Sequence, residues 1–264
     1  MKKANELRSV LLKIAGRGYK AYKDIAGSYD MGTFILMIDH VQSDPFAPPS
    51  KIRISIDQNI AKFPLELFSN RSKKTGLEDF LGRKFRDYSQ LFMKKKGTGS
   101  SGIILIDAGL QEIIERTSIK VSKDKIEARI YIGLPAAGRR ILAREAEDIF
   151  FHILPQIIEK SLIYKNLPHI ELTHFVYLNE DQDILRNKLK EHGLVCFVGN
   201  GSILPRESGV SDRPMSKGSP TPFLSPPSLE VEFDLPYSGK IKGMGIPKGV
   251  TLIVGGGYHG KSTF

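Results

Sequence analysis

A mixed α/β fold is the expectation for this chain of 264 residues. Three observations carry it. Branched apolar runs such as Ile52-Arg53-Ile54-Ser55-Ile56, and the alternating Ile126-Glu127-Ala128-Arg129-Ile130-Tyr131-Ile132, have the period of two of half-buried strands. Other stretches carry apolar residues at helical spacing, as at Leu77, Phe80, Leu81, Tyr88 and Leu91. A composition of 41% apolar and 26% charged residues suits a globular chain able to build a core.

Leu7, Leu11, Leu12 and Ile14 predict a short opening helix, stopped by Gly16 and Gly18. Residues 34–38 and 52–56 predict strands. Between them lies the proline-stiffened loop Asp44-Pro45-Phe46-Ala47-Pro48-Pro49-Ser50, where Asp44 initiates a turn. A helix is expected over 77–93 and a buried strand over 102–106, after which Asp107 is placed to cap a helix over 109–116. Past the strand 126–132, a long helix is expected from about Arg139, with Ile141, Leu142, Ile149, Phe150, Ile153, Leu154, Ile157 and Ile158 as its stripe. Pro155 should kink that helix or begin a new one. Together these make an α/β domain expected over residues 1–163.

Residues 164–228 are expected to connect. They hold His169 and His174 flanking a strand, a helix over 181–192 stopped by Gly193, and a strand over 194–198. From residue 200 the segment turns to proline, serine and glycine without apolar period, which reads as a long loop. The third region, 229–264, opens with an alternating strand at 229–233 and holds a buried strand at 250–254.

The formal net charge of +10 favours polyanionic partners, nucleic acid first. Arg17, Tyr19, Lys20, Tyr22 and Lys23 interleave cations with aromatics, a mixture that holds phosphates while stacking bases. The alternative for these residues is a connection whose tyrosines pack inward. Arg139 and Arg140 stand at the expected helix start, where the dipole disfavours cations unless an anion binds. Residues 71–74 and 94–102 read as mobile basic loops. The single cysteine, Cys196, excludes a disulfide within the chain and is expected to be a small buried hydrophobe. His40, His169 and His174 lack metal-ligand spacing, and no Gly-x-Ser-x-Gly is present. No apolar run approaches the roughly 18 residues of a membrane span, and no signal peptide is seen, so a cytoplasmic protein is expected.

The chemistry concentrates in Gly255-Gly256-Gly257-Tyr258-His259-Gly260-Lys261-Ser262, the pattern G-x-x-x-x-G-K-[ST]. Its glycines let successive backbone amides turn inward around phosphate oxygens, its lysine neutralises the β and γ phosphates, and its hydroxyl ligates magnesium. Gly255, Gly256, Gly257, Tyr258, His259, Gly260, Lys261, Ser262 and Thr263 are therefore candidate ATP contacts, and Ser262 the candidate Mg²⁺ ligand. The strand expected at 250–254 is the element that precedes such a loop. No acidic residue follows Ser262, so no catalytic residue is assigned.

Residues 199–206, 209–214 and 243–253, leading into this loop, resemble the predicted ATPases of the ABC class. Arg17-Gly18-Tyr19-Lys20-Ala21-Tyr22-Lys23 and residues 39–50 resemble that family's own N-terminal domain, so the resemblance covers nearly the whole chain. It implies an ABC-type nucleotide-binding core after an α/β domain, ATP with Mg²⁺ as cofactors, and ATP-driven closure without a membrane partner. It further implies the N-terminal piece of a longer protein, with the family's remaining motifs beyond Phe264. The intact protein is then expected to be a homodimer and this chain alone an inactive monomer. Tyr237 either stacks on adenine or packs at a strand end. The expected function is an ATPase that couples nucleotide state to a grip on nucleic acid, RNA first. The alternatives are a polyanion- or RNA-binding module with little nucleotide binding, and a small-substrate kinase.

Overall fold

The computed structural model describes every residue except Lys217, Tyr258, His259, Ser262 and Phe264, and Asp212 by its backbone alone. It is mixed α/β and divides into two units, residues 1–109 with 113–176 and residues 110–112 with 177–264.

The first unit is built on a sheet of β1 (Lys2–Lys3), β2 (Gly27–Asp30), β3 (Ile35–His40), β4 (Ser50–Asp57), β5 (Ile104–Ile106), β6 (Ile119–Val121) and β7 (Lys125–Ile132). Its order is β1-β2-β3-β4-β7-β5, with β6 also on β7; β1 pairs β2 in parallel and the other pairings are antiparallel. The register gathers the branched residues on one face: Ile38 opposes Ile52, which opposes Ile130, which opposes Ile106. All four are buried. The other face is charged, and Arg53 lies directly opposite Arg129. Asp39 at 2.6 Å from Arg53, and Glu127 at 3.0 Å from Arg129, relieve that like-charge pair. One apolar face and one polar face is the pattern an antiparallel sheet produces from strict alternation.

The helices follow from their caps and stripes. In α1 (Ala4–Lys13) Glu6 accepts from the Lys3 amide at 2.8 Å. A one-turn α2 (Gln58–Ala61) follows β4. In α3 (Arg71–Phe92) Asn70 accepts from the Lys73 amide at 2.9 Å, so the helix starts six residues before the apolar stripe and residues 71–74 are its first turn, not a mobile loop. Its buried Leu77, Phe80, Leu81 and Phe85 face β5, β6 and α5 (Leu154–Ser161).

The expected helix over 109–116 is absent, and Asp107 caps nothing. Eight residues barely repay helix nucleation. The segment's polar groups are held instead by the side chains around α3: Arg86 donates to the Gly109 carbonyl at 2.7 Å, and Arg116 pairs with Asp79 at 3.0 Å. The expected long helix begins only at α4 (Ala143–Asp148); a π-helical turn at Ile149–Ile153 leads into α5, with Pro155 in its first turn. Proline supplies no N–H to the carbonyl one α-turn back, and the widened turn accommodates that loss. His169 and His174 lie within α6 (His169–Glu191), not beside a strand, because Leu172 and Val176 give this stretch a buried helical spacing.

In the second unit β10 (Leu194–Gly199), β13 (Glu230–Leu235) and β14 (Gly239–Pro247) form an antiparallel sheet of order β10-β14-β13. Its central strand, β14, is illegible in sequence because Gly239, Gly243 and Gly245 erase the strand signal. The glycines are needed there: a Cβ on Gly243 would stand 2.2 Å from the Val198 carbonyl oxygen of β10. Cys196 is half-buried, not a core residue, as this small sheet leaves part of β10 uncovered. The loop expected over 200–228 contains a short hairpin of β11 (Arg206–Ser208) and β12 (Ser211–Pro214). Residues 250–254 form no strand and are exposed. β14 ends at Pro247, and among the described residues no ladder partner meets them, so their apolar pattern alone makes no strand.

Candidate functional site

In the first unit, four segments converge at one end of the sheet. The hairpin β8 (Ala136–Ala137) and β9 (Arg140–Ile141) turns through Gly138 and lies against residues 16–19: the Tyr19 amide donates to the Arg139 carbonyl at 2.8 Å and the Ile141 amide to the Arg17 carbonyl at 3.0 Å. Arg139 and Arg140 thus project from a hairpin and not from a helix start. Residues 94–102, read in sequence as a mobile loop, are instead pinned. The Thr98 amide donates to the Ala136 carbonyl at 2.8 Å, the Ser100 amide to Pro45 at 2.9 Å and the Gly102 amide to Gly133 at 2.8 Å. The glycines of this loop let its backbone approach so closely that a Cβ on Gly99 would stand 2.3 Å from the Pro45 oxygen.

Arg17, Lys20, Lys23, Arg139 and Arg140 are exposed around this junction, together with Lys94, Lys95 and Lys96. Tyr19 and Tyr22 are not. Both rings are buried, edge-to-face at 5.1 Å, so they cannot stack on a base, and the inward-packing alternative is the one observed. The Tyr19 hydroxyl donates to the Leu134 carbonyl at 2.9 Å and that of Tyr22 to Pro135 at 2.7 Å. Burial pushes both phenols well above their ordinary range, so they remain neutral donors. The tyrosines hold the hairpin that presents the arginines. Tyr22→Phe is expected to cost about 1 kcal/mol of stability through that lost bond. Urea unfolding of the two proteins measures it, and equal midpoints would show that the bond contributes nothing.

The residues expected from the sequence to bind phosphate lie in the second unit. Gly255, Gly256, Gly257, Gly260, Lys261 and Thr263 are exposed, while Tyr258, His259 and Ser262 lie outside the described residues. Lys261 folds back on its own loop, its Nζ donating to the Gly255 carbonyl at 2.7 Å and to that of Gly256. Gly260 sits at φ 75°, a left-handed conformation that only glycine adopts cheaply. Among the described residues nothing lies within 4 Å of where a Cβ on Gly257 or Gly260 would stand. An ammonium tethered to a glycine-rich loop has the chemistry to meet a polyphosphate. Tyr237 packs at the β13–β14 turn, its ring stacked on Tyr177 at 4.0 Å and its amide donating to Asp181 at 3.2 Å.

The described residues contain no cluster of three metal-ligating side chains and no helix long and apolar enough to cross a membrane. Residues 4–165 match the family described as ATPase of the ABC class N-terminal, and residues 168–264 match the family described as P-loop domain. The chain belongs to the ATPases of the ABC class. It is also similar to an uncharacterized protein of Methanocaldococcus jannaschii, 39% identical over 89 residues, a match that spans 31% of this chain and 20% of that relative. Membership of a P-loop ATPase family implies nucleotide binding, typically with Mg²⁺.

Proposed function

We propose that this chain binds ATP through residues 255–263 and couples nucleotide state to a grip on RNA through the exposed cations of its first unit. The P-loop pattern, lying within the P-loop domain match, is the observation that carries the nucleotide half. In this reading residues 1–163 form the nucleic-acid-binding domain, residues 164–228 the connection and residues 229–264 the opening of the nucleotide-binding core. Lys261 holds the β and γ phosphates, and Ser262 is the hydroxyl for Mg²⁺. The ATPase works as a cytoplasmic homodimer, since sites of this class form between two cores.

Arg17, Lys20, Lys23 and Arg139 are the phosphate contacts. Their exposure, and the tight backbone junction beneath them, favour a fixed basic surface over scattered charge. Affinity for single-stranded RNA is expected to fall with salt at a log–log slope of about −0.7 per contact, and each of these residues changed to Ala should shallow the slope by about 0.7. Fluorescence anisotropy across a salt titration, with and without ATP, measures both this and the coupling. Affinity that is insensitive to salt overturns the electrostatic grip. Salt-dependent affinity that ATP leaves unchanged favours a polyanion-binding module without nucleotide coupling.

A further inference from the structure

Because Tyr19 and Tyr22 are buried, the basic surface lacks the aromatics that its sequence suggested. The fold supplies a different one. Phe46 is 72% exposed, more than any other described aromatic residue, and it sits at the tip of the proline-rich loop joining β3 to β4. A large apolar ring left in water at a loop tip is unfavourable for the free protein.

The loop beneath the ring is fixed. The Asp44 carboxylate accepts from the Phe46 amide at 3.1 Å through one oxygen and from Arg139 Nε at 3.1 Å through the other. One side chain therefore sets the aromatic tip and a surface arginine together. Gln42 donates to the Asp44 carbonyl at 3.1 Å from below. The glycine loop that follows Lys94, Lys95 and Lys96 closes on the other side, with the Ser100 amide on the Pro45 carbonyl at 2.9 Å. Phe46 thus sits on backbone that has already lost its freedom, in a loop tied through Asp44 to Arg139 and through Pro45 to the loop that follows the three lysines. A base stacking on it would encounter little ordering cost.

We propose that Phe46 is the base-stacking element of this surface, so that the first unit binds single-stranded nucleic acid by combining phosphate contacts with one aromatic platform. The inference rests on the reading of the surface as a nucleic-acid grip, and it adds what that reading lacks: a preference for unpaired bases over duplex. A paired base has its faces covered by its neighbours, whereas a single strand offers them to an aromatic ring. Cation contacts alone read charge and confer no preference for an unpaired base.

The chain contains no tryptophan, so Phe46→Trp introduces a single fluorophore at the tip. Its emission is expected to be quenched by a single-stranded oligonucleotide and left nearly unchanged by an abasic oligomer of equal length and charge. For binding itself, Phe46→Ala should lower affinity for single-stranded RNA about tenfold while leaving the salt slope unaltered. Phe46→Trp should restore that affinity, and abasic oligomers should bind the wild type and Phe46→Ala alike. RNA and DNA of one sequence, run side by side, show which strand the surface takes. If Phe46→Ala binds as the wild type does while Lys20→Ala and Lys23→Ala weaken binding, the grip stands and the stacking role is overturned. If the wild type binds no nucleic acid, or if the tryptophan responds only to anionic vesicles, both are overturned.

Discussion

Gly133→Ala is expected to destabilise the first unit by about 3 kcal/mol or more, at the upper end of what overpacking costs. Gly133 follows β7, and a Cβ there would stand 1.8 Å from the Ser100 carbonyl oxygen and 2.7 Å from its carbon. These are backbone atoms of a loop tied at both ends, since Gly133 accepts from Gly102 at 2.8 Å and donates to Ile103 at 2.9 Å. No side-chain rotation relieves the overlap. Gly138→Ala is the matched control: Gly138 is left-handed, at φ 58°, with nothing within 4 Å of its Cβ position, so it should cost only the backbone preference, about 1 kcal/mol. Thermal unfolding of both variants decides the matter. Equal losses would mean that residues 94–102 move freely away from Gly133, contrary to the pinned loop.

Lys261→Ala should weaken ATP binding about ten- to hundredfold, the loss expected when a charge-assisted bond to phosphate is removed. Lys261 is exposed and, among the described residues, bonds to its own loop carbonyls, so the fold should be untouched. Binding of a fluorescent ATP analogue at fixed Mg²⁺ measures the change, with RNA affinity in the absence of nucleotide as the control for folding. Unaltered nucleotide affinity would place the phosphate contacts elsewhere. A parallel loss of RNA affinity without nucleotide would show that the variant disturbs more than the P-loop.

Much of the first unit was legible because its information is local. Period-two runs at 52–56 and 126–132 form the paired central strands β4 and β7, and the opening helix forms where its apolar spacing begins. The failures have physical causes. At 109–116 an apolar spacing existed, but the segment is short and its charges found partners around α3. At β14 the sequence is poor in strand formers, yet two neighbouring strands supply its ladder. At 250–254 the strand formers are present without described neighbours to pair with.

The same division holds at the candidate sites. Sequence alone supplied the proposal that residues 255–263 bind phosphate, because glycine conformational freedom, a lysine charge and a hydroxyl are properties of residue type and spacing. It also located the cations at 17–23 and 139–140. Which aromatics accompany those cations was decided only in three dimensions. Tyr19 and Tyr22 point inward because the Leu134 and Pro135 carbonyls need donors in a buried place, and the segments that supply them are more than a hundred residues apart. Phe46 remains outside because Gln42 and Asp44 of its own loop, together with Ser100 from a distant one, fix the backbone beneath it. Burial and close approach are sums over distant neighbours, and no local pattern contains them.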